Sequence, residues 1–282
     1  SIRFKHFKKT YDENILDIKG GLNDVVMNNS PIDIDKLIEG TNEILTANRN
    51  SLQLFDMLHS MRQFDDLTYV HSVNVALIAS ILGQWLKFSE KDIRILTISG
   101  LLHDIGKIMI PNEILTKPGK LTVAEYNIMK QHVNFGYEKV KNQNIDIRIK
   151  EACLLHHEKC DGTGYPFGLK SDHIPAVAKI IAIADVYDAM TSARVYRGAL
   201  CPFEVIDTMY KDAFTKFEPE YILPFLKNVA SSYINNDVRL SDGRIGKVVL
   251  INENALSLPI VQCEDEFIDL SKTRGLTVSA IL

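Results

Sequence analysis

A histidine and an aspartate stand side by side, His103 and Asp104, in the apolar run GLLHDIGKI. His71, His132, the pair His156-His157 and Asp185 lie on further segments, nearly all apolar enough to read as core helices. One ionisable side chain on such a face is usually a hydrogen-bonded core residue. Five imidazoles and two carboxylates would each need a buried partner, and divalent metal meets that demand for all of them at once. Imidazole nitrogen mixed with carboxylate oxygen suits borderline ions such as iron or manganese, and zinc less exclusively. Seven donors are too many for a single tetrahedral zinc and about right for two ions sharing a carboxylate. Asp104 can bridge two ions with its two oxygens. Two ions about 3.5–4 Å apart stabilise the attacking and leaving oxygens of a phosphoryl displacement, with a hydroxide between them as nucleophile.

The elements that must position these groups are helical. His71 lies in TYVHSVNVALIASIL, apolar almost all round, so it points inward. His103 and Asp104, as neighbours on a helix, would diverge by about 100°. His132 shares a helical face with Met129 and Tyr126, His156 and His157 end the run ACLLHH, and Asp185 lies in KIIAIADVYDAM. Ser89 with Asp92, and Thr122 with Glu125, read as capping boxes, and Pro202 suits a first helical position. Residues 1–62 read as a helical arm, broken at Ser30-Pro31, which packs on the rest or dimerises. Residues 63–235 read as the helical catalytic domain. From 236 to 282 the runs GKVVLI, SLPIVQC, EFIDL and LTVSAI predict a small β module, with a hairpin turn at Ser241-Asp242-Gly243. The fold class expected is therefore mainly α, a helical bundle with an N-terminal helical arm and a small C-terminal β module.

A net charge of −4 gives no support for DNA or RNA binding. An anionic substrate must instead be drawn by a local positive site. Cys153, Cys160, Cys201 and Cys263 show no CxxC spacing and read as reduced thiols in a reducing compartment. Cys153 stands four before His157, either near the metals or, as a packed thiol, inert. The longest apolar stretch, Val75–Leu86, falls short of the roughly 18 residues a membrane span needs and reads as a buried helix. No signal peptide is visible. A start at Ser1 rather than Met leads us to expect that an upstream segment has been removed. His6, His59 and His173 have no matching partners and are given no chemistry.

HDIGK, then HHEKCDGTGYP, then ADVYDAMTSARVYR, in this order, resemble the HD-GYP subgroup of the HD phosphohydrolase superfamily. The resemblance covers about residues 63–235. It implies an all-helical domain that hydrolyses cyclic di-GMP or a related cyclic dinucleotide in the bacterial cytoplasm. It implies His71, His103, Asp104, His132, His156, His157 and Asp185 as metal ligands, with Asp104 bridging. Lys107, Tyr165, Arg194 and Arg197 map onto substrate contacts. Their chemistry agrees: Lys107 follows His103 by four residues, the arginines offer forked donors to phosphate or guanine, and Tyr165 can stack or hydrogen-bond. Asp104, Lys107 and Asp188 are the candidates for catalytic roles, Asp188 either orienting a ligand or donating a proton to the leaving ribose oxygen. Gly162 and Gly164 are expected to take positive φ angles, and Asp161 to orient a histidine or cap the loop.

One departure matters. Some members carry an acidic ligand for a third metal four residues before the position of His71. Here that position is Leu67, and Asp65 and Asp66 fall at the wrong helical phase. Two metals are expected, iron or manganese, with a third site absent or weak, and with hydrolysis to linear pGpG or on to GMP. The other reading from these motifs is a catalytically weak cyclic-dinucleotide receptor that signals through its arm or β tail. A homodimer through the N-terminal helices is the expected self-association.

Overall fold

The computed structural model describes residues 2–48, 50–61, 67–192 and 199–282. Asp65, Asp66, Arg194 and Arg197 lie outside the described residues, as do the side chains of His59 and Leu67.

Helices dominate, in the order α1 (Ile2–Asn28), α2 (Ile34–Ala47), α3 (Ser51–Met61), α4 (Leu67–Trp85), α5 (Glu90–Leu102), α6 (Asn112–Leu115), α7 (Val123–Lys130), α8 (His132–Val140), α9 (Ile147–Leu155), α10 (Ala176–Thr191), α11 (Pro202–Asp212) and α12 (Pro219–Ser232). Several start where the sequence said they would. Thr122 and Glu125 form a reciprocal capping box on α7, Ser89 caps α5, and Pro202 opens α11. In α4, Val73, Val75, Ala76, Leu77, Ile78, Ala79, Ile81 and Leu82 are all fully buried. A helix apolar on every face must lie inside. It packs against α5 and α10, and α9 against α5, α8 and α10. Among the described residues, no helix is long and apolar enough to cross a membrane.

The arm is part of this core. Phe7, Tyr11, Ile15, Ile18, Leu22, Val25 and Val26 form a buried helical stripe on α1, continuous with the core of α4, α10 and the sheet. Lys139 of α8 donates to the Val26 carbonyl and to Asn29 Oδ1, both at 2.9 Å, clasping the end of α1.

The C-terminal runs form the expected strands: β1 (Asp237–Leu240), β2 (Ile245–Leu250), β3 (Ile260–Cys263), β4 (Glu266–Asp269) and β5 (Val278–Ile281). They make one antiparallel sheet in the order β4-β3-β2-β1-β5. Val238 and Leu240, and Gly246 and Val248, alternate inward along β1 and β2.

Two glycines flanking His103-Asp104 set how closely the site helices approach. A Cβ on Gly100 would collide with the backbone of Ala76, which lets α5 lie directly on α4. After His103 the chain leaves the α-helix and runs as a 3₁₀ stretch, Ile105–Met109, against α8. There a Cβ on Gly106 would collide with the His132 carbonyl oxygen and the Gly136 nitrogen. Backbone cannot yield as a side chain does. Gly106→Ala is expected to cost about 3 kcal/mol, at the upper end of overpacking changes. Denaturant melts of the two proteins check this, and a loss under about 0.5 kcal/mol, within surface-substitution range, would mean the contact relaxes freely.

Candidate metal centre

The ligand candidates come from five helices and meet at one place. His71 is on α4, His103 and Asp104 follow α5, His132 opens α8, His156 and His157 follow α9, and Asp185 is on α10. Their donor atoms fall into two groups, each within 4.8 Å: Asp104, His132, His156 and His157, and beside it His71, His103 and Asp185. Asp104 faces both. Its Oδ1 lies 3.3 Å from His132 Nε2 and 3.7 Å from His156 Nε2, and its Oδ2 lies 3.3 Å from His103 Nε2 and 3.6 Å from His71 Nε2.

Local backbone fixes the rings. His103 Nδ1 donates to the Gly100 carbonyl at 2.7 Å, His132 Nδ1 to Met129 at 2.7 Å, and His156 Nδ1 to Ala152 at 3.0 Å. Each ring thereby turns Nε2, with its lone pair, into the centre. His71 is held differently: its Nδ1 donates to Asp188 Oδ2 at 2.7 Å, and its Nε2 lies 2.9 Å from Asp185 Oδ1. His157 stacks on Tyr165, ring centroids 4.8 Å apart.

Burial and mutual contact shift the charge states of these groups in opposite directions. Burial works against charge on Asp104, but Lys107, His103 and His132 together hold its carboxyl well below the usual range. Asp185 is likewise held low despite burial, chiefly by His71 and His157. Burial, then the neighbouring His156, pushes the His157 imidazole well down, so it stays neutral. His71 goes the other way: burial opposes its charge, yet hydrogen bonds to Asp185 and Asp188 outweigh it and raise it to about 9.

These residues fit divalent metal. Among the described residues, His103 Nε2 and Asp104 Oδ1 are buried polar atoms with no hydrogen-bond partner. The His132 ring is at 3.3 Å from that oxygen but not aligned to donate to it. Orphaned acceptors of this kind are rare in a folded core. Both face inward among nitrogen and oxygen donors that a borderline cation takes.

Other expectations meet the structure in detail. Lys107 donates to Asp104 Oδ2 at 2.5 Å and is part-exposed at the rim. Cys153 is the packed thiol, 3.3 Å from the Leu102 carbonyl, with its thiol pushed up to about 12 by burial and by Asp104. All four cysteines are free. His103 and Asp104 do not share one helix. The backbone leaves the α region at Asp104, φ −102° and ψ 11°, which lets both side chains turn to the same centre. The helix expected to run through His132 is interrupted at Gln131. Asp161 caps the loop, accepting from the Thr163 amide at 2.9 Å and its hydroxyl at 2.6 Å. Gly162 has the expected positive φ of 83°, but Gly164 does not: it is required because a Cβ there would strike the backbone of residues 157–159.

Sequence reasoning missed three contributors. Glu158, 4% exposed, accepts the amides of Phe167 at 2.7 Å and Leu169 at 2.9 Å, so one carboxylate ties both sides of the DGTGYP loop. A carboxylate directly after two candidate ligand histidines was the available signal. Lys130 lies over the rings of Tyr126 and Tyr165, 5.2 and 5.9 Å from their centroids, placing a second cation at the site mouth. Glu218 anchors the far end of the loop, accepting from Lys179 and Ser171, both at 2.6 Å. Lys179 first, then Ser171, lowers the Glu218 carboxyl below its ordinary 4.5. A depressed native value stabilises the fold above pH 4.5 and loses that contribution as pH falls through the native value. Glu218→Gln is expected to lose about 1 kcal/mol at neutral pH, after discounting for partial exposure. The gap to wild type should close in acid, and a gap unchanged between pH 7 and pH 3 in thermal melts would refute the linkage.

Comparison with known proteins agrees with this geometry. A family model described as HD domain matches residues 39–221. The chain is 36% identical over 203 residues to cyclic di-GMP phosphodiesterase PA4108 of Pseudomonas aeruginosa, covering 72% of this chain and 49% of that protein. It is 36% identical over 197 residues to the cyclic di-GMP phosphodiesterase response regulator RpfG of Xanthomonas campestris pv. campestris, covering 69% and 52%. It is 32% identical over 188 residues to 3'3'-cGAMP-specific phosphodiesterase 2 of Vibrio cholerae, covering 65% and 36%. The chain thus spans about half the length of the first two and less of the third. Among solved structures, Bd1817, a HDG"Y"P protein from Bdellovibrio bacteriovorus, shares the fold with a TM-score of 0.60 at 18% identity, over 79% of this chain and 71% of that one. With the family model spanning most of the helices, and HDIGK, HHEKC and GYP lining one centre, the chain belongs to the HD domain family, in its HD-GYP branch.

Proposed function

We propose that this chain hydrolyses a 3',3'-linked cyclic dinucleotide, cyclic di-GMP or its hybrid relative, to the linear dinucleotide, in the bacterial cytoplasm. The observation that carries this reading is the Asp104 carboxylate, which offers one oxygen to each of two adjoining donor sets. Names of relatives, cyclic di-GMP and 3'3'-cGAMP phosphodiesterases, support the substrate class. His132, His156 and His157 with Asp104 would hold one ion, and His71, His103 and Asp185 with Asp104 the other, iron or manganese in each case. When bound, such a pair supplies Lewis-acid activation of the phosphodiester and of the attacking water.

The chain's own groups do the rest. His103, His132 and His156 arrive already oriented by their backbone hydrogen bonds, so little ordering remains at the moment of reaction. Lys107 and Lys130 put positive charge at the rim of an otherwise acidic protein, where the dianionic substrate enters. Tyr165, whose phenol is pushed up by burial, stays a neutral donor beside His157. Asp188 has one oxygen on His71 and the other on Asn74, which supports an orienting role over proton donation to substrate. With leucine at position 67, two ions and pGpG as end product are the consistent reading.

Anaerobically purified protein, with metals quantified and products separated by chromatography, tests this. Two iron or manganese ions per chain and conversion of cyclic di-GMP or 3'3'-cGAMP to the linear form are expected. Tight binding without turnover in metal-replete protein would instead establish a receptor.

A further inference from the structure

The hydrogen bonds behind His71 do not end at Asp188. Asn74, one turn along α4, donates its Nδ2 to Asp188 Oδ1 at 3.0 Å. Tyr11 of α1 donates its hydroxyl to Asn74 Oδ1 at 2.5 Å. Tyr11, Asn74 and Asp188 are 2%, 2% and 1% exposed. An amide oxygen only accepts, so the phenol must be the donor, and it pins the Asn74 amide with its NH₂ toward Asp188. Asp188 then presents its other oxygen to His71 Nδ1 at 2.7 Å, and His71 turns Nε2 into the centre. Each link fixes the direction of the next. The first link belongs to the arm, 63 residues before Asn74 and outside the motifs that carry the chemistry.

We propose that Tyr11, acting through Asn74 and Asp188, is a positioning residue for His71, so that the seating of α1 on α4 sets the metal-binding geometry. The inference rests on the reading of His71 as a metal ligand. Partners that orient a ligand histidine are worth about 10–100-fold in metal affinity. Asp188→Asn should fall in that range, and Tyr11→Phe, two links further out, should weaken binding about 3–10-fold, below that range. Any event that shifts α1 would reach the centre by the same route.

The test is titration of the full chain with Mn²⁺ and, separately, Co²⁺, whose visible absorption reports ligand geometry. Wild type, Y11F, N74S, D188N, Y11F/D188N and T41V are compared, folding being followed by far-ultraviolet circular dichroism. Thr41 accepts a buried hydrogen bond from Asn14 within the arm, at 2.9 Å, off this line. Weaker binding and an altered Co²⁺ spectrum in Y11F, a double variant no weaker than D188N alone, and wild-type affinity in T41V support the proposal. N74S cuts the same line one link further in and is read identically if Y11F does not fold. Wild-type affinity and spectrum in folded Y11F or N74S, or losses that add in the double variant, overturn it. Failure of the underlying reading looks different: His71→Ala would then bind metal as wild type does.

Discussion

On the proposed two-ion reading, replacing Asp104 with alanine is expected to empty the centre of metal and to stop hydrolysis of cyclic dinucleotide. Its two oxygens face the two donor sets at 3.3 Å on either side, so one substitution removes a ligand from each. It also removes the negative charge that would make two dications tolerable in a site where His103, His132 and His156 are almost fully buried. Metal activation supplies several kcal/mol of transition-state stabilisation, so the rate should drop on the order of 10³-fold or more. Asp104→Asn keeps the shape and one acceptor oxygen, and it should fail as well, because a neutral amide balances no cation charge. Metal content by elemental analysis and turnover in the same sample measure both effects. Retained turnover in metal-replete D104A would remove Asp104 from its place between the ions.

The parts of this centre that could be read from sequence are those whose chemistry conflicts with their surroundings. Histidine and aspartate inside GLLHDIGKI, ACLLHH and KIIAIADVYDAM need an explanation that leucine there would not. The strands were legible for a similar reason: inward Val238, Leu240 and Val248 alternate with exposed neighbours. What escaped are residues whose type is ordinary and whose partner is distant. Asn74 in an apolar helix and Tyr11 in an amphipathic one carry no signal until folding brings α1, α4 and α10 together. Local phase was the other limit. Helical spacing ran one helix through His132 and another through Asp104, but α7 ends before Gln131 and the chain after Asp104 runs as a 3₁₀ stretch. The close backbone packing of Gly106 on Gly136, between segments about 30 positions apart, is likewise invisible to local pattern.

Glu158 gives the second large effect, and it separates the substrate loop from the metals. Glu158→Ala would leave the amides of Phe167 and Leu169 without their acceptor in a part-buried loop. An unsatisfied buried donor costs about 1–3 kcal/mol, so two of them bring the loss to about 3 kcal/mol. The loop will not bear that strain in place. Tyr165 and Pro166 lie between Glu158 and the residues it holds, and Gly164 is packed against the backbone of 157–159, so the tyrosine should leave its stack on His157. Four of the five rings, all but His157, are fixed independently of the loop, through Gly100, Met129, Ala152 and Asp188. The variant is therefore expected to keep its metals while KM for cyclic dinucleotide rises roughly tenfold, about 1.4 kcal/mol of lost binding. Glu158→Gln, with one acceptor oxygen left, should fall between the two. Metal loss in folded E158A, or an unchanged KM, would show that the loop and the centre are not divided in this way.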